Sequence, residues 1–573
     1  MSGLSRLQQP EGAEAESGPD PEHEHAHEHE HEHEGAEVLC SALPREDGAL
    51  AEEGLIAGGV GITAGAALMA FGDTFRLSSN PTASKTIYLD FNGHTTSGTA
   101  WNNTTMGPSF YSPAYNTDGN AALFSNTELT LIQRAWQRIS ADFAPFDVNV
   151  TTMAPPDDWL IKTNAVDPNY GIRVVMTSYG PSSSTAGGIA YIDSFNWGSD
   201  TPCFVYNTSL LGVTEAVSHE VGHTLGLSHD GTAVGGAAYY SGHGSGENGW
   251  ASIMGVGYYQ SVTQWDDGTF YDSNNGGTGA NYNKGPDDLA IITSYNGFGY
   301  LPDQEGNSQA SANALSIQTG SVSQYGTIET RADLDWFQFT LASSGAINLS
   351  FSPYWFRAFV DTDGLWGGPV NPYYAPVSDA NTGTAWADNG ANLDLAVELY
   401  NSANVLLASS NPIGLSASLN VAALAADTYY LKLDGVGFGT PTVNPPSGYS
   451  DYASLGSYLI SGTITGIDAL PEVSLALGPN FSVAEDGTTN LVWTFSRTGD
   501  TSAALTVNVT LGGSGTNGID YTLSGWTAGT VTFDAGQATA IVTADPTADT
   551  AQESDETVSL QLAAGPGYGM ATT

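Results

Sequence analysis

Positively charged residues are scarce in this chain. Its 573 residues contain only 13 Lys and Arg against 61 Asp and Glu, which gives a formal net charge of −48 at pH 7. Nucleic acid and anionic membranes are poor partners for such a surface, because both present phosphate groups. Calcium is a good partner, since it takes carboxylate oxygens as ligands. We therefore expect calcium, and no nucleic acid, among the partners of this protein.

Cysteine is nearly absent. Cys40 and Cys203 are the only two in the chain, which is too few for a disulfide framework. Stability must therefore come from sheets, buried cores and bound ions. The sequence leaves open whether the two thiols pair with each other.

Long hydrophobic runs are missing as well. An uncharged Gly/Ala-rich run covers residues 55–71, but it is short and glycine-rich for a membrane span. It also begins far from Met1 and has acidic flanks, unlike a secretory signal peptide. We expect no membrane insertion and no clear cleavable signal peptide, and we treat residues 54–78 as a candidate propeptide.

A low-complexity segment precedes this run. Residues 1–53 are acidic, and His alternates with Glu over residues 22–34. Such a composition cannot bury enough apolar surface to fold, so a disordered tail is expected. Its six histidines either bind zinc or nickel weakly or belong to a solvated polar tail, and the second reading is favoured.

The most informative segment lies near the middle of the chain. Residues 219–229 read H-E-x-x-H-x-x-G-x-x-H. His219 and His223 are four positions apart and lie on one face of a helix, so both imidazoles can reach one ion. Gly226 can end that helix in a left-handed conformation, which lets His229 return as a third ligand. Three protein ligands leave one tetrahedral position for water, as in a catalytic zinc site.

This segment, together with Met254 in the downstream turn at residues 252–255, resembles the metzincin metallopeptidases. Asp230, directly after the third histidine, resembles the adamalysin (reprolysin) branch of that family. Astacins and serralysins place a zinc-reaching Tyr two residues after the Met, but Val256 stands at that position. No tyrosine ligand is therefore expected.

The resemblance implies a role for each residue of the motif. His219, His223 and His229 would bind zinc as neutral imidazoles, leaving a water to complete the site. Glu220 would act as the general base, and Met254 would pack beneath the ligands without binding the metal.

Hydrophobic periodicity around the motif predicts an α/β (α+β) domain over residues 79–300. Residues 86–91 alternate as a strand, and apolar residues recur at helical spacing over residues 129–143. The order of sheet, backing helix and zinc helix resembles metzincins over about residues 84–299. In that family an edge strand pairs with the substrate, and residues 188–192 are the positional match, with an ordinary sheet edge as the alternative.

Two β-rich modules follow, and their alternating apolar and polar residues predict all-β sandwiches. Residues 301–468 resemble the bacterial pre-peptidase C-terminal domain, in which calcium binds near the start. Asp303, Glu305 and Asn307 carry suitable oxygen ligands at alternate positions. Plain surface polarity is an equal alternative.

Residues 469–573 resemble a Calx-beta module, whose loop carboxylates would converge at one end of the sandwich and bind calcium. The candidates are Glu485, Asp520, Asp545, Glu553 and Glu556. The family adds a strand after the point at which this chain stops. The module is therefore either truncated or left with an open edge.

Together these features predict a multidomain protein, an α/β (α+β) metzincin domain followed by two all-β sandwich modules. The expected function is a secreted zinc-dependent metalloendopeptidase that acts on proteins or peptides, with zinc and calcium as cofactors and no prediction of oligomeric state. The alternative is a calcium-dependent adhesin or matrix protein in which the β-modules do the work. Because some metzincin relatives are held latent by a propeptide cysteine on the zinc, Cys40 is a candidate switch, with an ordinary tail thiol favoured.

Overall fold

A computed structural model describes residues 69–571, apart from residues 104, 121, 184–185, 235, 259, 275–286, 296–297, 354, 377–391, 468–470, 549–554 and 566. The acidic tail (1–53), most of the candidate propeptide (54–78), Cys40 and Glu553 lie outside the described residues. Residues 69–300 form what we call the N-terminal region, residues 301–467 the first sandwich, and residues 471–571 the second sandwich.

The N-terminal region is built on a mainly parallel sheet with helices packed against it. Its helices are α1 (Asn126–Asp142), α2 (Leu210–Thr224) and α3 (Asp288–Tyr295). Its strands are β1 (Leu77–Ser78), β2 (Lys85–Asp90), β3 (His94–Ser97), β4 (Ser109–Ser112), β5 (Asn149–Thr151), β6 (Tyr170–Met176), β7 (Gly188–Ile189), β8 (Cys203–Val205), β9 (Trp250–Ser252) and β10 (Val262–Gln264). β2, β5, β6 and β8 run parallel, and β7 lies antiparallel to β8 at the end of the sheet. Every residue of β2 and β6 is buried, as expected for parallel strands covered on both faces.

Helix α1 begins at a capping box. The Ser125 hydroxyl oxygen accepts the Glu128 N–H at 3.3 Å, and the Glu128 carboxylate accepts the Ser125 N–H at 2.8 Å. Ile132 and Trp136 are fully buried, as the helical spacing predicts. The helix packs against α2, so its last residue, Asp142, lies beside the helix that carries the histidines.

The first sandwich, residues 301–467, consists of two five-stranded sheets and two hairpins, one of which joins the sheet of the N-terminal region. Its strands are β11 (Asn313–Ala314), β12 (Ile317–Gln318), β13 (Ser321–Ile328), β14 (Leu334–Leu341), β15 (Gly345–Ser352), β16 (Trp355–Asp361), β17 (Val370–Pro376), β18 (Leu395–Asn401), β19 (Leu406–Ser410), β20 (Ala417–Leu424), β21 (Asp427–Gly435), β22 (Phe438–Thr440), β23 (Ser447–Tyr449) and β24 (Gly456–Ile464). The sheet orders are β11-β14-β21-β18-β19 and β12-β13-β24-β15-β20.

The β16–β17 hairpin belongs to the sheet of the N-terminal region. β16 pairs antiparallel with β1, with Leu77 opposite Val360 and Ser78 opposite Phe359. The full order is therefore β17-β16-β1-β5-β2-β6-β8-β7. One continuous cluster of buried apolar residues also runs from the N-terminal region into the first sandwich. The sheet and the apolar core therefore both contain residues from either side of the boundary predicted at residue 300.

The second sandwich has a core of its own. Its strands are β25 (Glu472–Leu477), β26 (Leu491–Arg497), β27 (Leu505–Gly512), β28 (Tyr521–Ser524), β29 (Thr530–Phe533), β30 (Thr539–Pro546), β31 (Ser559–Leu562) and β32 (Gly569–Met570). They form sheets of order β28-β30-β26-β25-β32 and β29-β27-β31, packed around Trp493, Phe495 and Phe533. A mixed α and β region followed by β-modules agrees with the predicted fold class. Within the described residues, every helix is too short or too polar to cross a membrane.

Candidate metal centre

Helix α2 carries the first two histidines and ends as the sequence predicts. Ser209 caps its start by accepting the Gly212 N–H at 2.9 Å, and all residues from 212 to 224 are buried. Gly226 follows the helix with φ 103°, a left-handed value that favours glycine. Its N–H donates to His223 O at 2.9 Å and the Leu227 N–H donates to Gly222 O at 3.0 Å, the two bonds of a Schellman motif. The chain therefore turns sharply and brings residue 229 back to the helix.

This turn assembles the three histidines into what we call the histidine cluster: His219, His223 and His229. One ring nitrogen from each lies within 4.8 Å of the other two. Nδ1 of His219 lies 2.9 Å from Ile253 O, and Nδ1 of His223 lies 2.8 Å from Leu227 O. A carbonyl accepts only from a protonated nitrogen, so each Nδ1 carries the hydrogen and each Nε2 keeps its lone pair for a metal.

The remaining nitrogens of the cluster fit a bound cation. Nε2 of His219 is buried without a hydrogen-bond partner among the described residues. Nε2 of His223 and Nε2 of His229 face each other at 2.9 Å. That separation is short enough for both nitrogens to bind one cation. Three imidazoles that converge in this way are a donor set that zinc prefers.

Burial keeps these imidazoles neutral. Desolvation, followed by the charges of the other two histidines, holds the pKa of His219 well below its usual range. Desolvation also lowers the pKa of His223, and it lowers the pKa of His229 to about 2. The cluster is therefore unprotonated at neutral pH, which is the form that metal binding requires.

Glu220 lies beside the cluster and against the edge strand β7. Its side chain is fully buried. A Cβ placed on Gly188 would lie only 2.5 Å from Glu220 Oε1 and 2.6 Å from its Cγ, so only glycine allows the strand to approach the carboxylate this closely. The strand covers residues 188–189 of the predicted 188–192 and forms the end of the sheet. The predicted edge and the predicted base are therefore neighbours.

Met254 packs against helix α2 at Gly222. Its side chain is fully buried, and a Cβ on Gly222, between the two helical histidines, would lie 2.5 Å from its sulfur. The Asp230 N–H donates to Met254 O at 3.0 Å, and the Asp230 carboxylate accepts the Ser252 hydroxyl. Burial, together with the nearby charge of Asp266, raises the pKa of Asp230 well above its usual range. The turn that carries Met254 is thus tied to the residue that follows His229.

Tyr239 is a neighbour of the cluster that sequence reasoning missed. Its ring centroid lies 4.3 Å from that of His229 and 6.1 Å from that of His219. The next residue, Tyr240, fixes the loop through its backbone, which donates to Asp230 O at 2.6 Å and accepts the Val256 N–H at 2.8 Å. Nothing in the Gly-, Tyr- and Asn-rich loop sequence singles out this position.

A second group of ligating side chains lies in the first sandwich, and we call it the acidic cluster. Its members are Asp303, Glu305, Glu329, Asp333 and Asp335. Ligand oxygens of Asp303, Glu305 and Asp335 lie within 4.8 Å of one another, and so do those of Asp303, Glu329 and Asp333. Oδ1 of Asp335 is buried and accepts no hydrogen bond within the described residues.

The acidic cluster differs from the predicted trio of Asp303, Glu305 and Asn307. The Asn307 amide donates to Asp303 Oδ2 at 2.5 Å, and its Oδ1 accepts the Leu334 N–H at 3.0 Å. Asn307 therefore orients Asp303, and its own role as a calcium ligand stays a prediction. Three further carboxylates lie beside Asp303: Asp335 on β14, and Glu329 and Asp333 just before that strand. No fixed sequence spacing links them to residue 303.

Burial and mutual repulsion disfavour charge in the acidic cluster. Desolvation, followed by the charges of Asp303 and Asp333, raises the pKa of Glu305 to about 7. Desolvation also raises the pKa of Asp335 to about 8, against the lowering effect of the Tyr458 hydroxyl. For Glu329 desolvation and Asp333 raise the pKa to about 10.

The carboxylates predicted for the second sandwich form no comparable group among its described residues. Glu485, Asp545 and Glu556 are exposed. Asp520 is half-buried and accepts the Thr516 N–H of its own turn at 2.6 Å. Glu553 lies outside the described residues. Calcium in this module stays a prediction.

Comparison with known proteins supports a metallopeptidase. Residues 147–230 match the family model described as metallo-peptidase family M12B, reprolysin-like. The matched segment contains α2 and all three histidines. Over this segment the chain is similar to reprolysin-like metallopeptidases, and that similarity implies zinc.

A solved structure of the pre-peptidase C-terminal domain of a collagenase from Bacillus anthracis is similar at 13% identity, covering 27% of this chain and 95% of that chain with a TM-score of 0.14. A likeness at that TM-score carries no inference about the sandwiches. The comparison with curated proteins gives no match.

Proposed function

We propose that this chain is a secreted, zinc-dependent metalloendopeptidase of the metzincin type that hydrolyses peptide bonds in proteins. The observation that carries the proposal is the histidine cluster, in which two Nδ1–H groups are fixed by backbone carbonyls and the Nε2 atoms converge. Its reprolysin-like match agrees with that chemistry. Secretion is proposed from a composition that is rich in Gly and Tyr and poor in Lys and Arg, as in extracellular β-rich proteins.

The histidines and Glu220 would have separate roles in the reaction. His219, His223 and His229 would hold the zinc, which when bound polarises the scissile carbonyl and lowers the pKa of water. The Glu220 carboxylate takes a proton from the attacking water and passes it to the departing amine. Burial of Glu220 excludes bulk water from that transfer.

Strand β7 supplies the binding edge for an extended peptide. It is the last strand of the sheet among the described residues and lies next to Glu220, so a substrate strand would pair with its outer edge. Backbone pairing of this kind gives affinity without strong sequence preference. We therefore expect a broad rather than a single-site specificity.

The proposal is tested with the full chain loaded with zinc and assayed on casein. Cleavage should stop with a zinc chelator such as 1,10-phenanthroline and return when zinc is added in excess. A zinc-loaded protein that leaves casein and a mixed peptide library intact would contradict the proposal. It would favour the alternative of an adhesin or matrix protein.

We also propose that the acidic cluster binds calcium. The support is geometric: two trios of carboxylates share Asp303, and three oxygens of the cluster are buried without a hydrogen-bond partner among the described residues. Calcium accepts six to eight oxygen ligands in flexible geometry, which suits such a group. The ion would stabilise the first sandwich instead of taking part in hydrolysis.

A further inference from the structure

One residue of the first sandwich, Asn392, is held by two residues of the N-terminal region. It is 7% exposed. Its Nδ2 donates to Asp142 Oδ1 at 2.7 Å, and its backbone oxygen accepts the Gln264 side-chain amide at 2.6 Å. Asp142 ends α1 and Gln264 ends β10, so this asparagine bridges two separate elements of the neighbouring region.

The side-chain contact of Asn392 leads to the zinc helix. The other carboxylate oxygen of Asp142 accepts the Ser218 hydroxyl at 2.5 Å. Ser218 lies on α2 immediately before His219, and neither residue has any exposed surface. Two hydrogen bonds therefore separate the sandwich from the backbone of the first histidine.

The backbone contact of Asn392 leads to the ring of the same histidine. Gln264 accepts the Ile253 N–H through its own carbonyl at 2.9 Å. The Ile253 carbonyl in turn accepts Nδ1–H of His219 at 2.9 Å. This second route fixes the tautomer and the ring plane of His219, while the first fixes its place on the helix.

Both routes run through buried residues. Asp142, Ser218, Gln264 and Ile253 are all buried, and a continuous apolar cluster surrounds them. Desolvation and the charge of Glu215 raise the pKa of Asp142 to about 7, and the hydrogen bonds from Ser218 and Asn392 oppose that rise. Removing the donor from a buried acceptor is costly, so we expect the geometry around Asp142 to change when the Asn392 amide is lost.

We infer that Asn392 is a positioning residue for the zinc site, which makes the first sandwich a working part of the peptidase instead of an appended module. The inference rests on the proposed zinc site, although one of its tests needs no peptidase activity. It assigns the route through Asp142 to the Asn392 side chain, whereas the route through Gln264 needs only the backbone oxygen at this position.

The test is Asn392→Ala in the full chain, with two readouts. The first is the rate at which bound zinc passes to a chromogenic chelator. The second is cleavage of a peptide substrate, resolved into kcat and KM. Outer partners of metal ligands contribute about 10–100-fold to metal retention or activity, so we expect zinc loss to become about tenfold faster and kcat about tenfold lower. KM should stay within about twofold, because β7 is not touched.

A matched control and a reciprocal swap separate positioning from general damage. Tyr429→Phe removes a hydrogen bond from its hydroxyl to Ala425 O that lies entirely within the sandwich, and it should leave zinc loss unchanged. Asn392→Asp places two carboxylates together and should lose zinc fastest. Adding Asp142→Asn to that variant restores an amide–carboxylate bond and should recover most of the zinc retention.

The results distinguish the positioning role of Asn392 from the proposed peptidase function. If Asn392→Ala matches wild type or the Tyr429→Phe control in zinc loss and in kcat, the inference is overturned. If Asn392→Ala fails to fold, Ser218→Ala breaks the same route one bond further on and decides by the same two readouts. If wild type retains zinc without cleaving any peptide, the proposed function fails, while the zinc-loss comparison still tests the positioning role.

Discussion

The histidine cluster and the acidic cluster both gather ligating atoms within a few ångströms, but burial acts on them in opposite ways. In the first, desolvation lowers the pKa of the imidazoles, to about 2 for His229. In the second, desolvation raises the pKa of the carboxyls, to about 8 for Asp335 and about 7 for Glu305. In both cases burial favours the uncharged form.

That shared preference has different consequences for metal binding. A neutral imidazole is already a ligand, so the histidine cluster is ready for zinc at neutral pH. A neutral carboxylic acid is a poor ligand, so the acidic cluster must lose protons as calcium enters. A site that is ready for its metal at neutral pH suits catalysis. A site whose carboxyls ionise only as the metal binds suits stabilisation of the fold. The predictions below test each half of this contrast.

The largest effect is expected from Glu220→Gln. The histidine cluster remains intact in this variant, but the attacking water loses its proton acceptor, so kcat should fall by about three orders of magnitude. Zinc content, measured by metal analysis, should equal that of wild type. Near-normal cleavage by Glu220→Gln would show that another group is the base.

A smaller loss is expected from Gly188→Ala. The new Cβ would lie 2.5 Å from Glu220 Oε1, so the carboxylate or β7 must move. A displacement near 1 Å at a reacting group costs about 100-fold in rate, and zinc should be retained. Gly198→Ala is the matched control, because the nearest atom to its Cβ is the Lys162 carbonyl oxygen at 3.6 Å. Equal kcat values for the two variants would separate β7 from the active site.

The sequence was informative where chemistry follows local spacing. The H-E-x-x-H pattern predicted the shared helix face, and Gly226 predicted the left-handed turn that returns His229. These features depend only on neighbours along the chain. The structure brings the three histidines together as that spacing predicts.

The contacts that sequence reasoning missed depend on long-range packing. Asp303 meets Asp333 and Asp335 only because the first sandwich folds β14 back beside its start. Asn392 reaches Asp142 across 250 positions of the chain, and its bond arises from the continuous core. Likewise the pairing of β16 with β1 joins strands from two predicted domains. No periodicity in one sequence encodes which distant residues will face each other.

Calcium should raise the thermal stability of the full chain. A ligand that binds only the folded state at about 100 times its Kd adds about 2.7 kcal/mol, and each kcal/mol raises the Tm of a domain of this size by about 2–4 °C. The protein is dialysed free of calcium, kept saturated with zinc, and melted across a calcium titration. Magnesium should do less, because it keeps its water ligands.

Two variants locate the effect of calcium. Asp335→Asn should weaken the stabilisation, whereas Asp500→Asn, at an exposed position in the second sandwich, should leave it unchanged. An unchanged Tm in wild type throughout the titration would remove calcium from the acidic cluster. The raised pKa values there would then describe carboxyls that remain protonated without a metal.

The smallest effect concerns pH, and it follows from the sign of the same pKa shifts. The folded-state pKa values of Glu305, Asp335 and Glu329 lie above their usual values of 4.5, 3.8 and 4.5, at about 7, 8 and 10. The folded chain therefore binds more protons than the unfolded chain at these three groups. Their contribution to the free energy of unfolding is fully present below about pH 4 and is lost as pH rises toward the folded-state pKa values. Calcium favours the ionised carboxylates and should cancel this loss. We expect the Tm difference between calcium-bound and calcium-free protein to widen by a few degrees from about pH 5 to about pH 9.

The comparison between calcium-bound and calcium-free protein removes the pH effects of groups elsewhere in the chain. In Asp335→Asn the widening of the Tm difference should be smaller. A difference that stays constant or narrows as pH rises would show that calcium does not replace protons at the acidic cluster, and the contrast with the histidine cluster would then fail.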